Sequence, residues 1–516
     1  MKHSRLIQSL ITIFASAAIA LVFGYALDFG QSLSLALSDG STARAPWDQY
    51  NGLAVTFRES GWIWPPLRTP VIPFLNLLLY LPFDNWKLLP LAHTATFILS
   101  IVAIFWLFYR KISPIFAVVW TAGIYAYLYK PTILFPMSEA FATVFLIWML
   151  ACSCLWFAKK DVKWGYGASI FLMLLIMSKG VFAYLTLLFA LMLAQWLIWE
   201  GFIKKDWRQR YKKMLLHAIA MAAIIWIPIL GWMNFNLNRG GTFSLSNYSW
   251  FSAAGNVTSM MSRDLQVPAD QDPDTPLVNE GLAMIAKHLT TGFDPKIYFP
   301  LVDLDFEDIF YPVGYKPGDP SRGSQNCKSN EDFPFCVEGD LNQYVFFNHG
   351  INYYLHRLIT PAAVIVSGKI GGGTKTWRVT EKISKAIVKD VSANYPEIYK
   401  KLIRMNLRGA LLGDAVSENY YQNKYIVLLL FGAAGLAAVI SLLMNPFKLP
   451  IVVNLIFWCG ALHVGHMVMV AVWGGPIERY VMLTRPYFDQ GILLIPLAVG
   501  WVLYGAWNKR LRKLRA

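Results

Sequence analysis

The chain has 516 residues, of which 56% are hydrophobic and only 15% are charged, and its mean hydropathy is +0.42. Soluble domains carry nearer a quarter of charged residues, so this composition excludes an ordinary soluble globular protein. The net charge of +15 does not indicate nucleic acid as a partner, because the basic residues stand in short clusters between apolar segments. Membrane topology explains clusters in such positions.

Ten apolar segments follow one another along the chain, and most are long enough to cross a hydrocarbon core of about 30 Å. The short segment 164–178 could also continue through 181–199 as one long helix, which would give nine spans. We predict two spans, because a single helix would place one of the basic clusters 159–163 and 204–213 on the wrong side. The ten segments are 6–27, 88–108, 115–128, 140–157, 164–178, 181–199, 215–232, 426–444, 451–473 and 492–507.

With ten spans, all the basic clusters fall on one side, which the positive-inside rule makes cytoplasmic, together with both termini. The first loop, 28–86, then faces outward. We expect an all-α polytopic membrane protein with an N-terminal transmembrane module (1–233), an extracytoplasmic segment (234–424) and a C-terminal transmembrane module (425–516). Apolar residues three and four positions apart predict a helix over 379–412 in the extracytoplasmic segment.

Two of the five cysteines, Cys327 and Cys336, lie in this polar segment. Disulfides form outside the cytoplasm, so a Cys327–Cys336 bond is predicted if the segment is extracytoplasmic. The other three cysteines lie in apolar segments and are expected to be packing residues.

Carboxylates in the first outer loop are candidates for a general base. Asp48 is the preferred one, because a carboxylate close to the membrane surface could accept a proton from a hydroxyl group. A solvated loop residue or a helix N-cap is the alternative interpretation. Asp28 and Asp39 are rival carboxylates in the same loop.

Lys179 lies between two apolar segments, in Met177-Ser178-Lys179-Gly180. An ammonium group at the centre of a membrane helix costs about 2.5–3.5 kcal/mol on insertion scales, and less near an interface. A phosphate is a natural partner for such a charge. The alternative is a lysine whose ammonium group reaches back to the membrane surface.

Several short motifs on the predicted outer side resemble a known family. They are the stretch from Asp48 to Pro70, Ser138-Glu139-Ala140, Met177-Ser178-Lys179-Gly180, Gly241-Thr242-Phe243-Ser244-Leu245, and Glu478-Arg479-Tyr480 with Pro486. In order and side of the membrane they are similar to motifs of the GT-C superfamily of polyprenyl-phosphate-dependent glycosyltransferases. The resemblance is strongest to bacterial relatives of protein O-mannosyltransferase and lipid A aminoarabinose transferase. Gln49 departs from the pattern, because many relatives carry a second acidic residue there.

The resemblance implies a GT-C-like fold of about ten transmembrane helices and a role for each matched residue. Asp48 would be the catalytic base, and Lys179, Arg68 and Arg479 would bind the donor phosphate. Arg58, Glu59, Glu139, Glu478 and Tyr480 would be possible substrate contacts.

The same resemblance implies the partners and the location. The donor would be a sugar on polyprenyl phosphate, and the acceptor a glycan, a lipid or a protein. No cofactor is certain, and a divalent metal stays open. The enzyme would lie in a bacterial inner membrane with its active site facing the periplasm.

Three other functional classes stay open at this point. One is a non-catalytic assembly or scaffold protein, which would tolerate loss of Asp48. A polymerase or ligase of lipid-linked glycans would also combine many spans with a large outer segment. A secondary transporter would show repeated halves and charges near the midplane of the membrane, and the sequence shows neither pattern.

Overall fold

A computed structural model describes residues 2–37, 69–82, 86–126, 138–202, 207–240, 242–246, 248–258, 261–268, 272–288, 359–370, 374–397, 399–400, 424–445 and 451–473, with residues 403, 407, 447, 449, 484 and 494. Every regular element in these ranges is a helix. The helices of the N-terminal part are α1 (Lys2–Ala26), α2 (Phe29–Leu37), α3 (Val71–Tyr80), α4 (Leu88–Lys111), α5 (Pro114–Ala126), α6 (Ser138–Lys159), α7 (Val162–Ser178), α8 (Leu185–Trp196) and α9 (Trp207–Gly240). A 3₁₀ turn (Gly180–Tyr184) precedes α8, and a π-helix (Leu197–Phe202) follows it. The remaining helices are α10 (Tyr248–Val257), α11 (Thr275–His288), α12 (Thr360–Gly368), α13 (Thr374–Asn394), α14 (Lys424–Leu443) and α15 (Ile451–Trp473).

The regular structure of the described residues is helical throughout, and the chain is a polytopic membrane protein, as the sequence predicts. Within the described ranges, five helical stretches are long and apolar enough to cross a membrane, and four more apolar helices are shorter. Nine of the ten predicted spans coincide with helices, and the tenth, 492–507, lies almost wholly outside the described residues. α9 continues to Gly240, seven residues beyond the predicted end of the first module, and the division into three modules stays a prediction.

The chain reverses direction at Lys179, which supports two spans rather than one long helix. At one end of the bundle, Lys179 lies beside Glu139 at the start of α6. At the other end, the rings of Trp156 and Trp196, near the ends of α6 and α8, lie 5.4 Å apart. Since α6, α7 and α8 all extend between these two ends, α7 and α8 are antiparallel.

Contacts between helix ends also place several basic clusters at one end of the bundle. Lys160 Nζ lies 3.6 Å from Glu200 Oε1, in the π-helix that precedes cluster 204–213 in the sequence. α4 runs parallel to α6, because His93 packs on Phe141 and Ser100 accepts a hydrogen bond from Trp148. Its basic end, Arg110 and Lys111, therefore lies at the same end as Lys159. The positive-inside rule makes this end cytoplasmic, and that orientation stays a prediction.

Four helices between the two membrane portions, α10 to α13, pack around a hydrophobic cluster of their own. α13 contributes Val379, Ile383, Ile387 and Val391, which recur every four residues and are fully buried. The predicted helix is thus confirmed from 379 to Asn394. It ends there because Pro396 disfavours the helical conformation in the residue before it.

Ion pairs join the loop before α11 to α13 in this group of four helices. We call α10 to α13 the outer helical unit, because they lie in the segment that is predicted to be extracytoplasmic. The buried Asp274 carboxylate accepts hydrogen bonds from Arg378 Nη2 at 2.5 Å and Lys382 Nζ at 2.6 Å. Lys382 also contacts Asp272 at 2.6 Å. Two cations therefore neutralise two carboxylates where α13 begins.

Candidate functional site

Lys179 and Glu139 form a buried ion pair at the predicted outer end of the transmembrane bundle. Lys179 Nζ donates a hydrogen bond to Glu139 Oε1 at 2.5 Å. The side chains are only 12% and 2% exposed, respectively. Sequence reasoning places both residues at the outer face but does not pair them, because 40 positions separate them in the chain.

The backbone around Lys179 is fully hydrogen-bonded, which fixes the direction of its side chain. Its N–H group donates to the Leu175 carbonyl and closes α7, while its own carbonyl accepts from Phe182 N–H and opens the 3₁₀ turn. Lys179 itself is extended, with φ −149° and ψ 102°. We call residues 178–184 the lysine turn.

Two other parts of the chain hold the lysine turn in place. Thr69, which follows Arg68 in the sequence, donates its hydroxyl proton to the Ser178 carbonyl at 2.9 Å. From α15, the Leu462 carbonyl accepts a hydrogen bond from the Tyr184 hydroxyl at 2.8 Å, and the ring of His466 stacks on Phe182. These contacts join α3, α7 and α15 around Lys179.

A short segment, 242–246, packs against the lysine turn and ties it to α9. Asn236 Nδ2 donates to the Ser244 carbonyl at 2.8 Å, and Trp232 Nε1 donates to the Leu245 carbonyl at 3.1 Å. A Cβ atom on Gly180 would lie 3.2 Å from Leu245 Cδ2, so a larger residue there would need Leu245 to move. This segment belongs to the Gly241–Leu245 motif of the sequence.

An apolar cavity of about 490 Å³ lies beside the lysine turn, between α3 and α9. On α9 its lining residues are spaced by three, one and three positions, which places them on a single helical face. Met177, two residues before Lys179 in the sequence, also lines the cavity. The lining residues are Pro70, Val71, Phe74, Met177, Pro228, Gly231, Trp232 and Phe235.

The cavity opens toward a surface that is itself apolar. Phe74 on α3 is 48% exposed, and Ile227 and Leu230 on α9 are 68% and 45% exposed. Exposed aliphatic side chains on a membrane-spanning helix face lipid. A Cβ atom on Gly231 would meet no atom within 4 Å, so the cavity is open space at that position. The α9 pattern could have been found in the sequence, but the partner face on α3 could not.

Most of the other predicted site residues lie outside the described residues. These are Asp48, Arg58, Glu59, Arg68, Glu478, Arg479, Tyr480, Cys327 and Cys336, together with the rival Asp39. The rival Asp28 is described: it is exposed in the turn between α1 and α2, with a left-handed φ of 47°. Within the described ranges, no group of three or more His, Cys, Asp or Glu residues could hold a metal ion.

Comparisons with known proteins give one distant likeness of fold. No protein-family model and no curated protein matches the sequence. The structure is similar to the crystal structure of ArnT from Cupriavidus metallidurans bound to undecaprenyl phosphate. The TM-score is 0.31 and the identity 13%, over 93% of this chain and 76% of that one. ArnT is a GT-C glycosyltransferase, the superfamily that the sequence motifs resemble, but a TM-score this low carries no argument about residues or substrate.

Proposed function

We propose that this protein is an inverting glycosyltransferase that moves a sugar from a polyprenyl-phosphate donor to an acceptor hydroxyl at the periplasmic face of a bacterial inner membrane. The observation that carries the proposal is a buried Lys179 ammonium group in a turn that follows Met177, a lining residue of an apolar cavity that opens toward lipid. A polyprenyl phosphate has the two matching parts, an anionic head and a long apolar chain. A lipid chain stays within the bilayer while the phosphate reaches the lysine turn.

The donor phosphate fits the hydrogen-bonding capacity of Lys179. A lysine ammonium group has three N–H donors. Glu139 accepts from this group, and a phosphate oxygen is proposed to accept from it as well, from the side of the cavity. Arg68 is proposed as a second phosphate ligand, because its sequence neighbour Thr69 is hydrogen-bonded to the lysine turn. Arg479 is proposed as a third.

The proposed reaction is a direct displacement at the anomeric carbon. The Asp48 carboxylate accepts the proton of the acceptor hydroxyl, and the acceptor oxygen attacks the anomeric carbon from the face opposite the phosphate. The bond between the anomeric carbon and the phosphate oxygen breaks, and its electron pair stays on that oxygen. The products are the glycosylated acceptor, with inverted configuration, and polyprenyl phosphate. Lys179 stabilises the charge that grows on the departing phosphate.

The remaining candidates receive supporting roles. Arg58, Glu59, Glu478 and Tyr480 are proposed to contact the sugar or the acceptor. The outer helical unit, α10 to α13, is proposed to lie over the site and to select the acceptor. A glycan, a lipid or a protein could each supply the hydroxyl group.

The direct test is sugar transfer by purified protein in lipid nanodiscs, with a panel of polyprenyl-phosphate sugars and cell-envelope acceptors. We expect transfer by the wild type, and donor binding without transfer by Asp48→Asn. Asp28→Asn is a matched control, because it removes the rival carboxylate of the same loop.

Four other outcomes would change the assignment. Normal transfer by Asp48→Asn, with loss in Asp28→Asn, would move the base to Asp28, and loss in neither variant would direct attention to Asp39. A wild type that elongates or transfers whole lipid-linked glycans, but no single sugar, would favour a polymerase or ligase. A wild type that neither binds nor uses any polyprenyl-phosphate sugar would end the proposal.

A further inference from the structure

The lysine turn carries a second charge that phosphate binding alone does not require. Glu139 is only 1% exposed, and it brings a negative charge to within hydrogen-bonding distance of the cation proposed to hold the donor phosphate. A site that only had to attract an anion would be weakened by this carboxylate. The pair therefore needs an explanation beyond donor binding.

Substrate and product differ in charge at the atoms that Lys179 would contact. The donor phosphate is a diester with one negative charge. When the bond to the sugar breaks, the product is a monoester, whose second pKa near 6 gives it about −1.5 to −2 charges at pH 7. The head group thus becomes more negative during the reaction, while the lipid chain stays the same.

We propose that Glu139 is the residue that discriminates between these two lipids. It weakens the binding of the monoester product more than the binding of the diester donor, and so promotes product release. The inference rests on the proposed function, because it concerns the same donor site. A fixed negative charge repels a phosphate in proportion to that phosphate's own charge. The burial of Glu139 and of Lys179 keeps water from screening this repulsion.

The geometry allows Lys179 to serve both anions at once. Its backbone is fixed by the two hydrogen bonds that end α7 and begin the 3₁₀ turn, and the ion pair places the ammonium group beside Glu139. A phosphate that reaches Lys179 from the cavity then lies one ammonium group away from the carboxylate. Glu139 is accordingly a positioning and selectivity residue for Lys179, and it takes no part in bond making.

A matched control is available at the opposite end of the bundle. Glu200 is also buried, with 7% exposure, and also lies beside a lysine, Lys160, at 3.6 Å. It is remote from the lysine turn, because it lies in the π-helix at the other end of α8. Glu200→Gln removes the same charge without touching the proposed donor site.

The experiment measures the affinity of nanodisc-embedded protein for two probes, polyprenyl phosphate and its unreactive methyl diester. Wild type, Glu139→Gln and Glu200→Gln are compared at pH 7.5. We expect Glu139→Gln to tighten monoester binding about tenfold and diester binding only about three- to fivefold, because the repulsion scales with the charge of the phosphate. Glu200→Gln leaves the ratio of the two affinities unchanged.

The outcomes separate this inference from the proposed function. Equal changes of both affinities in Glu139→Gln overturn the inference, as does a wild type that already binds the monoester tenfold more tightly than the diester. The second measurement needs no variant, so the test survives if Glu139→Gln fails to fold. A wild type that binds neither probe contradicts the proposed function itself, whereas binding of both without discrimination contradicts only the role of Glu139.

Discussion

Removing either charge of the Lys179–Glu139 pair should destabilise the protein, and removing both should not. The side chains are 12% and 2% exposed, so each charge has lost most of its hydration. At an effective dielectric constant of about 20, two charges 4 Å apart attract by about 4 kcal/mol, which is comparable to the cost of burying them. Breaking such a pair by removing one partner costs about 3–5 kcal/mol, because the remaining charge is buried without compensation.

The two single variants should differ in how much stability they lose, because Glu139 is more deeply buried than Lys179. Lys179→Met leaves a carboxylate that is almost inaccessible, and we expect the full loss of about 3–5 kcal/mol. Glu139→Leu leaves a longer and slightly more exposed lysine, whose ammonium group can reach toward the membrane surface, so we expect a smaller loss. The double variant should regain most of the stability, since two apolar side chains of similar size replace the pair.

The assay is unfolding of detergent-solubilised protein by titration with sodium dodecyl sulfate, followed by tryptophan fluorescence. The interaction energy comes from the double-mutant cycle. Lys163→Met is the control, because its partner Asp161 lies at 2.8 Å but the two side chains are 69% and 38% exposed. Exposed pairs contribute only about 0–1 kcal/mol. If the double variant is no more stable than Lys179→Met, or if Lys179→Met loses as little stability as Lys163→Met, the buried pair does not stabilise the protein as we expect.

Three further predictions concern the cavity and the outer helical unit. Gly231→Phe should fold, because its Cβ meets no atom within 4 Å, yet weaken polyprenyl phosphate binding at least tenfold by filling the cavity. Gly435 is equally open but lies away from the cavity, so Gly435→Phe should bind polyprenyl phosphate normally. Equal affinities of the two variants in nanodiscs would contradict binding of the lipid chain in the cavity. Asp274→Asn weakens two ion pairs of a buried carboxylate, so we expect it to lower the free energy of unfolding of the outer helical unit by about 3 kcal/mol. The loss would be measured as faster hydrogen exchange in α13. Glu397→Gln, which changes an exposed ion pair, should lower this free energy by less than about 0.5 kcal/mol. Burial raises the pKa of the Glu381 carboxyl above its ordinary value of 4.5, so the folded state binds this proton more tightly than the unfolded state does. The stabilisation from this proton is complete below pH 4.5, and it is lost as the pH rises through the raised pKa. Glu381→Gln should therefore unfold at a higher temperature than wild type at pH 7.5, and an unchanged difference between the two at pH 4 and pH 7.5 would contradict the assignment.

The membrane-spanning helices could be predicted from the sequence because their signal is local. An apolar run such as 451–473 needs no partner to be recognised, and the observed helix has those bounds. The break at Lys179 was predictable for the same reason, since a charge between two apolar runs favours a turn at the membrane surface. The basic clusters on either side then favour two spans over one, and the ring contact between Trp156 and Trp196 agrees with two spans.

The site itself depends on contacts between distant parts of the chain. The sequence marks Lys179 and Glu139 as unusual charges, but only the packing of α6 against the lysine turn makes them an ion pair. The hydrogen bond from Thr69 to Ser178 spans 109 positions and has no signature in either segment. The cavity likewise is lined by residues from α3, α7 and α9, which no local pattern in the sequence brings together.

The most direct test of the account locates a bound polyprenyl phosphate in the protein. A photoreactive polyprenyl phosphate is bound to wild type and Lys179→Met in nanodiscs, irradiated, and the labelled peptides are mapped by mass spectrometry. We expect labelling to concentrate on Val71–Tyr80 and on residues 228–235, to be competed by unlabelled polyprenyl phosphate, and to be lost in Lys179→Met. Labelling spread over all the spans, or unaffected by the competitor and by Lys179→Met, would contradict a lipid-phosphate site at the lysine turn.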